Sequence, residues 1–178
     1  MKVRNILRGA TLAAAAGAMV FGSAATAASP GLNASNFAAR ILAVHNAERA
    51  AHGEAPLTWD PALEAGAASY AAGLALTGAF QHSDRHARPG IGENLWEGSR
   101  GYFSLEQMVG GWASEKRAFV PGIFPAVSRT GNWEDVGHYT QMVWPTTTRV
   151  GCALASGRND VLVCRYANAG NIEGHPVR

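Results

Sequence analysis

Phe37, Ile41, Val44 and Glu48 fall at three- and four-residue steps in an Ala-rich run, the spacing of one helix face. The pattern predicts a first helix starting near Ser35 or Asn36, with Gly53 standing where a C-cap would. A second helix opens at Asp60, with Pro61 in the first turn where a missing N–H costs nothing, and carries Leu63, Ala67, Tyr70 and Leu74 on one stripe to about Gly78. Residues 79–103 lose the periodicity. Asp84, Pro89, Gly90, Gly98 and Gly101 mark them as loop-rich, with a structured piece only at Gly92 to Trp96. Ser104 followed by Gln107 is a capping box, and the helix it opens places Leu105, Met108, Trp112 and Glu115 on a common face.

After a Gly/Pro-rich stretch at 121–132 the pattern changes. The run from His138 to Trp144 is β-branched and aromatic without clean alternation, which predicts a strand covered on both faces and ended by Pro145. Thr148 to Ala155 and Asp160 to Ala167 read as strands flanking the turn-rich Ser156-Gly157-Arg158-Asn159. Three consecutive antiparallel strands after three helices make an α+β chain with helices packed on the sheet.

Composition narrows the class. The chain has 178 residues, 47% hydrophobic and 16% charged, with 21 Gly and 2 Cys, which suits one ordinary globular domain and excludes collagen-like, disordered and disulfide-dense scaffolds. Residues 1–28 read as a secretory leader: Lys2, Arg4 and Arg8 precede the apolar run from Ala10 to Phe21, and Ala25-Thr26-Ala27 supplies a small-residue cleavage site. The run is about 12 residues, short of the roughly 18–20 a transmembrane anchor needs. The domain is then 29–178. Losing the leader leaves 12 basic against 13 acidic side chains, a net charge of about −1 in place of the formal +2. No block of Lys/Arg remains for a phosphate backbone, so a nucleic-acid partner is not expected.

Export places the two cysteines in an oxidising compartment. Cys152 and Cys164 are equidistant from Arg158, hence opposite each other across the hairpin, and a disulfide is expected there. A redox pair is the alternative, though no C-x-x-C and no basic helix start accompanies either sulfur.

No Gly-x-Ser-x-Gly elbow, His-Glu-x-x-His pair, phosphate loop or calcium loop is present. Four groups stand at awkward positions. Glu115 lies on or beside a buried stripe, where an unpaired charge is costly and desolvation raises a carboxyl pKa unless a donor compensates. His138 opens the expected strand. His82 and Glu93 sit in loop sequence, where the plain reading is a surface position. Spacing alone does not assemble them.

The segment Gly137-His138-Tyr139-Thr140-Gln141-Met142-Val143-Trp144 resembles the hallmark of the CAP superfamily, the cysteine-rich secretory, antigen-5 and pathogenesis-related class 1 proteins, also called the SCP or TAPS domain. Val161 to Tyr166 through Gly170-Asn171-Ile172 is similar to its second hallmark, His45-Asn46-Ala47-Glu48-Arg49 to its first-helix motif, and Gly92-Glu93-Asn94-Leu95 to its fourth. The likeness runs in order from about residue 38 to 172. It implies a three-layer α-β-α sandwich with a central antiparallel sheet and a cleft lined by His82, Glu93, Glu115 and His138. It also implies that His45, Asn46 and Arg49 brace the site or the helix packing. The sequence departs from better-known relatives in carrying Asn168 where the second hallmark has another residue, in having cysteines for one disulfide, and in showing no Cys-rich extension before Arg178, so channel-blocking or toxin roles are not carried over.

Three functions stand open for these mapped positions, the first from the chemistry of two imidazoles beside two carboxylates and the other two from what relatives are reported to do. His82 and His138 would ligate zinc or another divalent cation while the carboxylates orient the rings, with modest affinity that weakens as imidazoles protonate below about pH 6–7. A small lipid, sterol or peptide would bind nearby, with Phe80, Trp96, Phe103, Phe119 and Phe124 as candidate liners. The enzymatic alternative is a hydrolase acting on an extracellular substrate, using metal-activated water or Ser83 with a His, and Glu93 or Glu115 as base.

Overall fold

The computed structural model describes residues 34–178; the leader expected at 1–28 lies outside the described residues. In chain order the elements are α1 (Ala34–Ala51), β1 (Thr58–Trp59), α2 (Pro61–Thr77), β2 (Gly92–Ser99), α3 (Leu105–Ala113), β3 (Gly122–Ile123), α4 (Gly137–Met142), β4 (Arg149–Ser156), β5 (Asn159–Ala167) and β6 (Pro176–Val177). Single 3₁₀ turns occupy Arg85–Ala87, Ser114–Arg117 and Trp133–Val136.

The main sheet has the order β1-β4-β5-β2. Its core, β4-β5-β2, is antiparallel, while the two-residue β1 runs parallel to β4. A second small sheet pairs β3 with β6. β5 is buried on both faces, which explains its near-continuous apolar sequence. Val161 and Val163 meet Ala67, Ala71 and Leu74 of α2, whereas Leu162, Cys164 and Tyr166 join the larger core beneath α1, α3 and α4. This is the α-β-α sandwich.

Two glycines let α2 lie close along β4 and its turn. A Cβ at Gly151 would fall 2.2 Å from the Glu64 nitrogen, and one at Gly157 2.1 Å from the Ala75 oxygen. The first turn of α2 is fixed by Asp60, whose Oδ1 accepts from the N–H of Ala62 and Leu63. Cys152 and Cys164 are register partners and form the disulfide.

The expected strand at His138–Trp144 is instead the helix α4, and the third strand of the antiparallel core is β2, which reaches Ser99 rather than ending at Trp96. The β-like composition of the hallmark segment reflects burial on every side: Tyr139, Thr140, Gln141 and Met142 are all buried. A six-residue helix has little intrinsic stability. Two charged side chains from elsewhere hold its ends. At the start, Glu115 Oε2 accepts from the backbone N–H of His138 and Tyr139, both at 3.0 Å. At the end, the buried Arg49 guanidinium donates to the carbonyls of Met142, Trp144 and Thr147 at 2.9–3.1 Å. Both charges have the sign that the helix dipole favours.

Candidate functional site

Glu93 lies on β2 with its side chain wholly buried on the α2 side of the sheet. Its Oε1 receives the His82 Nδ1 and the Ser83 backbone N–H, each at 2.9 Å, and its Oε2 receives the Ser83 hydroxyl at 2.7 Å. Two guanidiniums stand behind it, Arg88 at 3.8 Å and Arg165 at 3.6 Å. Gly66 of α2 leaves room for Arg165, since a Cβ there would sit 2.8 Å from Nη1, and the guanidinium also lies over the Tyr70 ring. Burial alone would raise the Glu93 carboxyl, but the hydrogen bonds from His82 and Ser83 and the charge of Arg88 outweigh it and hold the pKa down at about 2.

His138 approaches from the opposite layer, on the first turn of α4. Its Nδ1 is 2.6 Å from Glu115 Oε1, and its ring stacks on Trp112 at 5.9 Å and 16°. Glu115 does not continue the α3 stripe as expected. The helix ends at Ala113 and tightens into the 3₁₀ turn that carries Glu115, swinging its carboxylate onto α4. Burying that charge is offset by three donors: one ring nitrogen and two backbone amides.

The two histidines therefore share one arrangement. A carboxylate accepts only, so each Nδ1 carries a proton and donates it, and in the neutral form of the ring it is Nε2 that keeps the lone pair; neither Nε2 has a protein partner among the described residues. His82, Glu93 and His138 line a cavity of about 790 Å³ together with Arg85, Arg88, Phe124, Pro125, Trp133 and the Gly170–Glu173 segment. Glu115 is not part of the cavity wall; it acts on it through His138.

Ser83 is placed at Glu93, not at an imidazole. Its hydroxyl gives its hydrogen to Glu93 and accepts from Arg88 Nε at 2.9 Å. Of the candidate aromatic liners, Phe124 alone reaches the cavity. Phe80 is exposed, Trp96 and Phe103 pack edge to face with each other, and Phe119 is buried against His52 and Tyr139.

The first-helix residues hold the frame. His45 Nδ1 donates to the Ile41 carbonyl at 2.9 Å, so its Nε2 accepts from the Tyr166 hydroxyl at 2.9 Å. Asn94 Nδ2 in turn donates to the Tyr166 oxygen and to the His138 carbonyl. This chain ties α1, β5, β2 and α4 together without a formal charge. Burial pushes the His45 imidazole down to about 4 and the Tyr166 hydroxyl well above its ordinary value. Asn46 makes a reciprocal pair with the Leu57 backbone, fixing the entry to β1.

Sequence reasoning missed Arg88, Arg165, Asn94, Tyr166 and Gln141. Arg88 lies in irregular loop sequence with no periodic signal. Gln141 holds Gly170 and Thr147 and needs Gly92 beside it, where a Cβ would fall 2.0 Å from Oε1.

Among the described residues no helix is long and apolar enough to cross a membrane. Residues 42–166 match the family model described as "CAP: Cysteine-rich secretory protein family". Pathogenesis-related protein 1A of Nicotiana tabacum is 38% identical over 136 residues, covering 75% of this chain and 76% of that protein. A probable pathogenesis-related protein of Candida albicans is 35% identical over 147 residues, 80% of this chain but 41% of its own length. Among solved structures, the one titled "Crystal structure of NaASP2 with Zn2+" superposes with a TM-score of 0.65 at 26% identity, covering 79% of this chain and 84% of that one. The order of motifs, the sandwich and these likenesses agree: the chain belongs to the cysteine-rich secretory protein, or CAP, family.

Proposed function

We propose that this is an exported CAP protein whose cavity binds a divalent cation, zinc by preference, through His82 and His138, and takes a small lipid or peptidic ligand beside it. The observation that carries the reading is the shared wiring of the two rings. Each donates Nδ1–H to a carboxylate, at 2.9 and 2.6 Å, the arrangement that fixes the tautomer and raises the basicity of a ligating Nε2. The donor set fits zinc, with imidazole nitrogens inward and carboxylates one step out. No group of three or more His, Cys, Asp or Glu placed to hold a metal occurs among the described residues, so solvent or ligand atoms would complete the shell and affinity would be modest. The Zn2+ named in the NaASP2 title supports the same choice of metal.

When bound, the cation would supply a fixed positive charge for oxygen atoms of a ligand. Glu93 and Glu115 orient the rings and are themselves held, the first by Ser83 and the arginines, the second by the α4 backbone. The predicted leader and the disulfide support export, the compartment in which such a bond persists. Calorimetric zinc titration of the wild type and of His82→Ala/His138→Ala tests the site: saturable binding lost in the double variant is expected, and equal binding by both proteins rejects it.

A further inference from the structure

The cavity exposes a piece of main chain as well as side chains. Cys152 and Cys164 face each other with Cα atoms 4.1 Å apart, the spacing of a non-hydrogen-bonded antiparallel pair. Cys164 therefore aims its N–H and C=O at β2, where its partner is Asn94. By alternation the N–H and C=O of Ile91, Glu93, Leu95 and Glu97 point away from the sheet, along its outer edge.

That edge is closed on either side of one residue. Arg88 Nη1 donates to the Ile91 carbonyl, and Trp112 Nε1 donates to the Leu95 carbonyl at 3.1 Å. Glu93 lies between them, and among the described residues neither its N–H nor its C=O has a partner outside the sheet. Its side chain is 0% exposed while the whole residue is 8% exposed, so the accessible atoms are main-chain atoms. They open into the cavity, with His82 on the α2 side of the sheet and His138 on the α4 side.

We propose that an extended peptide docks on the β2 edge at Glu93, exchanging a pair of backbone hydrogen bonds with its N–H and C=O between the two imidazoles. An unpaired rung inside a cavity is a template for strand addition, where the main chain gives affinity and flanking pockets give selectivity. The surroundings suit a peptide carrying both signs of charge. The loop that holds His82 contributes the exposed Arg85, while Glu134 and Glu173 come from the segments around α4 and the C-terminal loop. Between these groups Phe124, Pro125, Trp133 and Ile172 offer an apolar wall for a side chain next to the rung. A simple acyl chain would use that wall and leave the backbone rung, Arg85 and the two glutamates unmatched.

The proposal rests on the reading of this cavity as the ligand site but not on the metal, so it is tested in the presence of EDTA; loss of zinc binding and loss of peptide binding are then separate results. The probes are two blocked pentapeptides with valine-phenylalanine-valine at the centre, one running from glutamate to lysine and the other from lysine to glutamate. Amide NMR spectra of the whole protein follow the Glu93 resonance. One of the two peptides is expected to shift it saturably and slow its hydrogen exchange, and N-methylation of that peptide beside the phenylalanine to weaken binding about tenfold. Arg85→Glu, an exposed change, should weaken the same peptide and leave the folded spectrum intact. An unmoved Glu93 amide with both peptides, or equal binding of the N-methylated form, overturns the proposal. So does uptake of a fatty acid that moves Phe124 and Trp133 signals while both peptides leave Glu93 unaffected.

Discussion

Replacing His45 by glutamine separates a buried neutral imidazole from the acid sensitivity it brings. In the folded protein the His45 pKa is down at about 4, because full burial disfavours the charged ring and the nearby Arg49 charge adds to this, together outweighing the hydrogen bond to the Ile41 carbonyl. In the unfolded chain it returns to its ordinary value near 6.5. Between those values the unfolded state binds a proton that the folded state refuses, so stability rises with pH across the window and is fully present above about 6.5. As pH falls the loss from this residue amounts to about 2 kcal/mol at pH 5 and about 3 kcal/mol at pH 4, where it levels off. Glutamine can still accept from Tyr166 but does not titrate. Urea unfolding of the disulfide-intact proteins, monitored by tryptophan fluorescence at pH 7, 6, 5 and 4, is the assay. At pH 7 the variant should be less stable by about 1–2 kcal/mol, from lost ring packing. Its curve should then be flatter by the amounts above and meet or cross the wild type near pH 5. Parallel curves for the two proteins would refute the assignment of His45 as the neutral group and the hydrogen-bond order built on it.

Other groups give sharper single readings. Arg49→Met should destabilise by about 3–5 kcal/mol in the same assay, because the carbonyls of Ala55, Met142, Trp144 and Thr147 lose their donor. Glu93→Gln should remove an acid-sensitive contribution: the wild-type carboxyl, at about 2 in the fold and about 4.5 unfolded, stabilises fully above about pH 4.5 and loses up to about 3 kcal/mol as pH falls toward 2, and the variant's profile there should flatten. Glu115→Gln should cost about 1–2 kcal/mol through the α4 amides and weaken calorimetric zinc affinity about 10–100-fold through the freed His138 ring. Cys152→Ser with Cys164→Ser, which opens a loop of sequence separation 12, should lower stability by about 2–3 kcal/mol while leaving circular dichroism unchanged.

The elements with one-dimensional signals were readable in the sequence. α2, with Asp60 and Pro61 at its start, and α3, with its Ser104–Gln107 box, begin where their caps stand, because a cap is a contact within four residues. The Cys hairpin was readable for a similar reason: pairing about a turn is symmetric, and symmetry survives in the spacing. His82 and Glu93 were not assembled by spacing, and the family likeness was needed to group them.

The misread strand at His138–Trp144 shows where local reasoning stops. A segment of six helical residues satisfies its backbone through Glu115 and Arg49, whose positions relative to it are set by the tertiary fold. The same two side chains explain why the segment cannot drift. If the Glu115 carboxylate fixed only the His138 ring, α4 could rotate about its axis and carry Nε2 out of the cavity. Because Oε2 also binds the amides of His138 and Tyr139, ring orientation and helix position are set by one group. Arg49 restrains the far end, and Asn94 ties the His138 carbonyl to β2, the strand that bears Glu93. The imidazoles come from opposite layers of the sandwich, yet both are referenced to the same strand, one through Glu93 itself and one through its neighbour Asn94. Relative placement of the two rings is thus referenced to this strand as well as to Glu115 and Arg49, which is the rigidity that the proposed two-histidine cation site calls for.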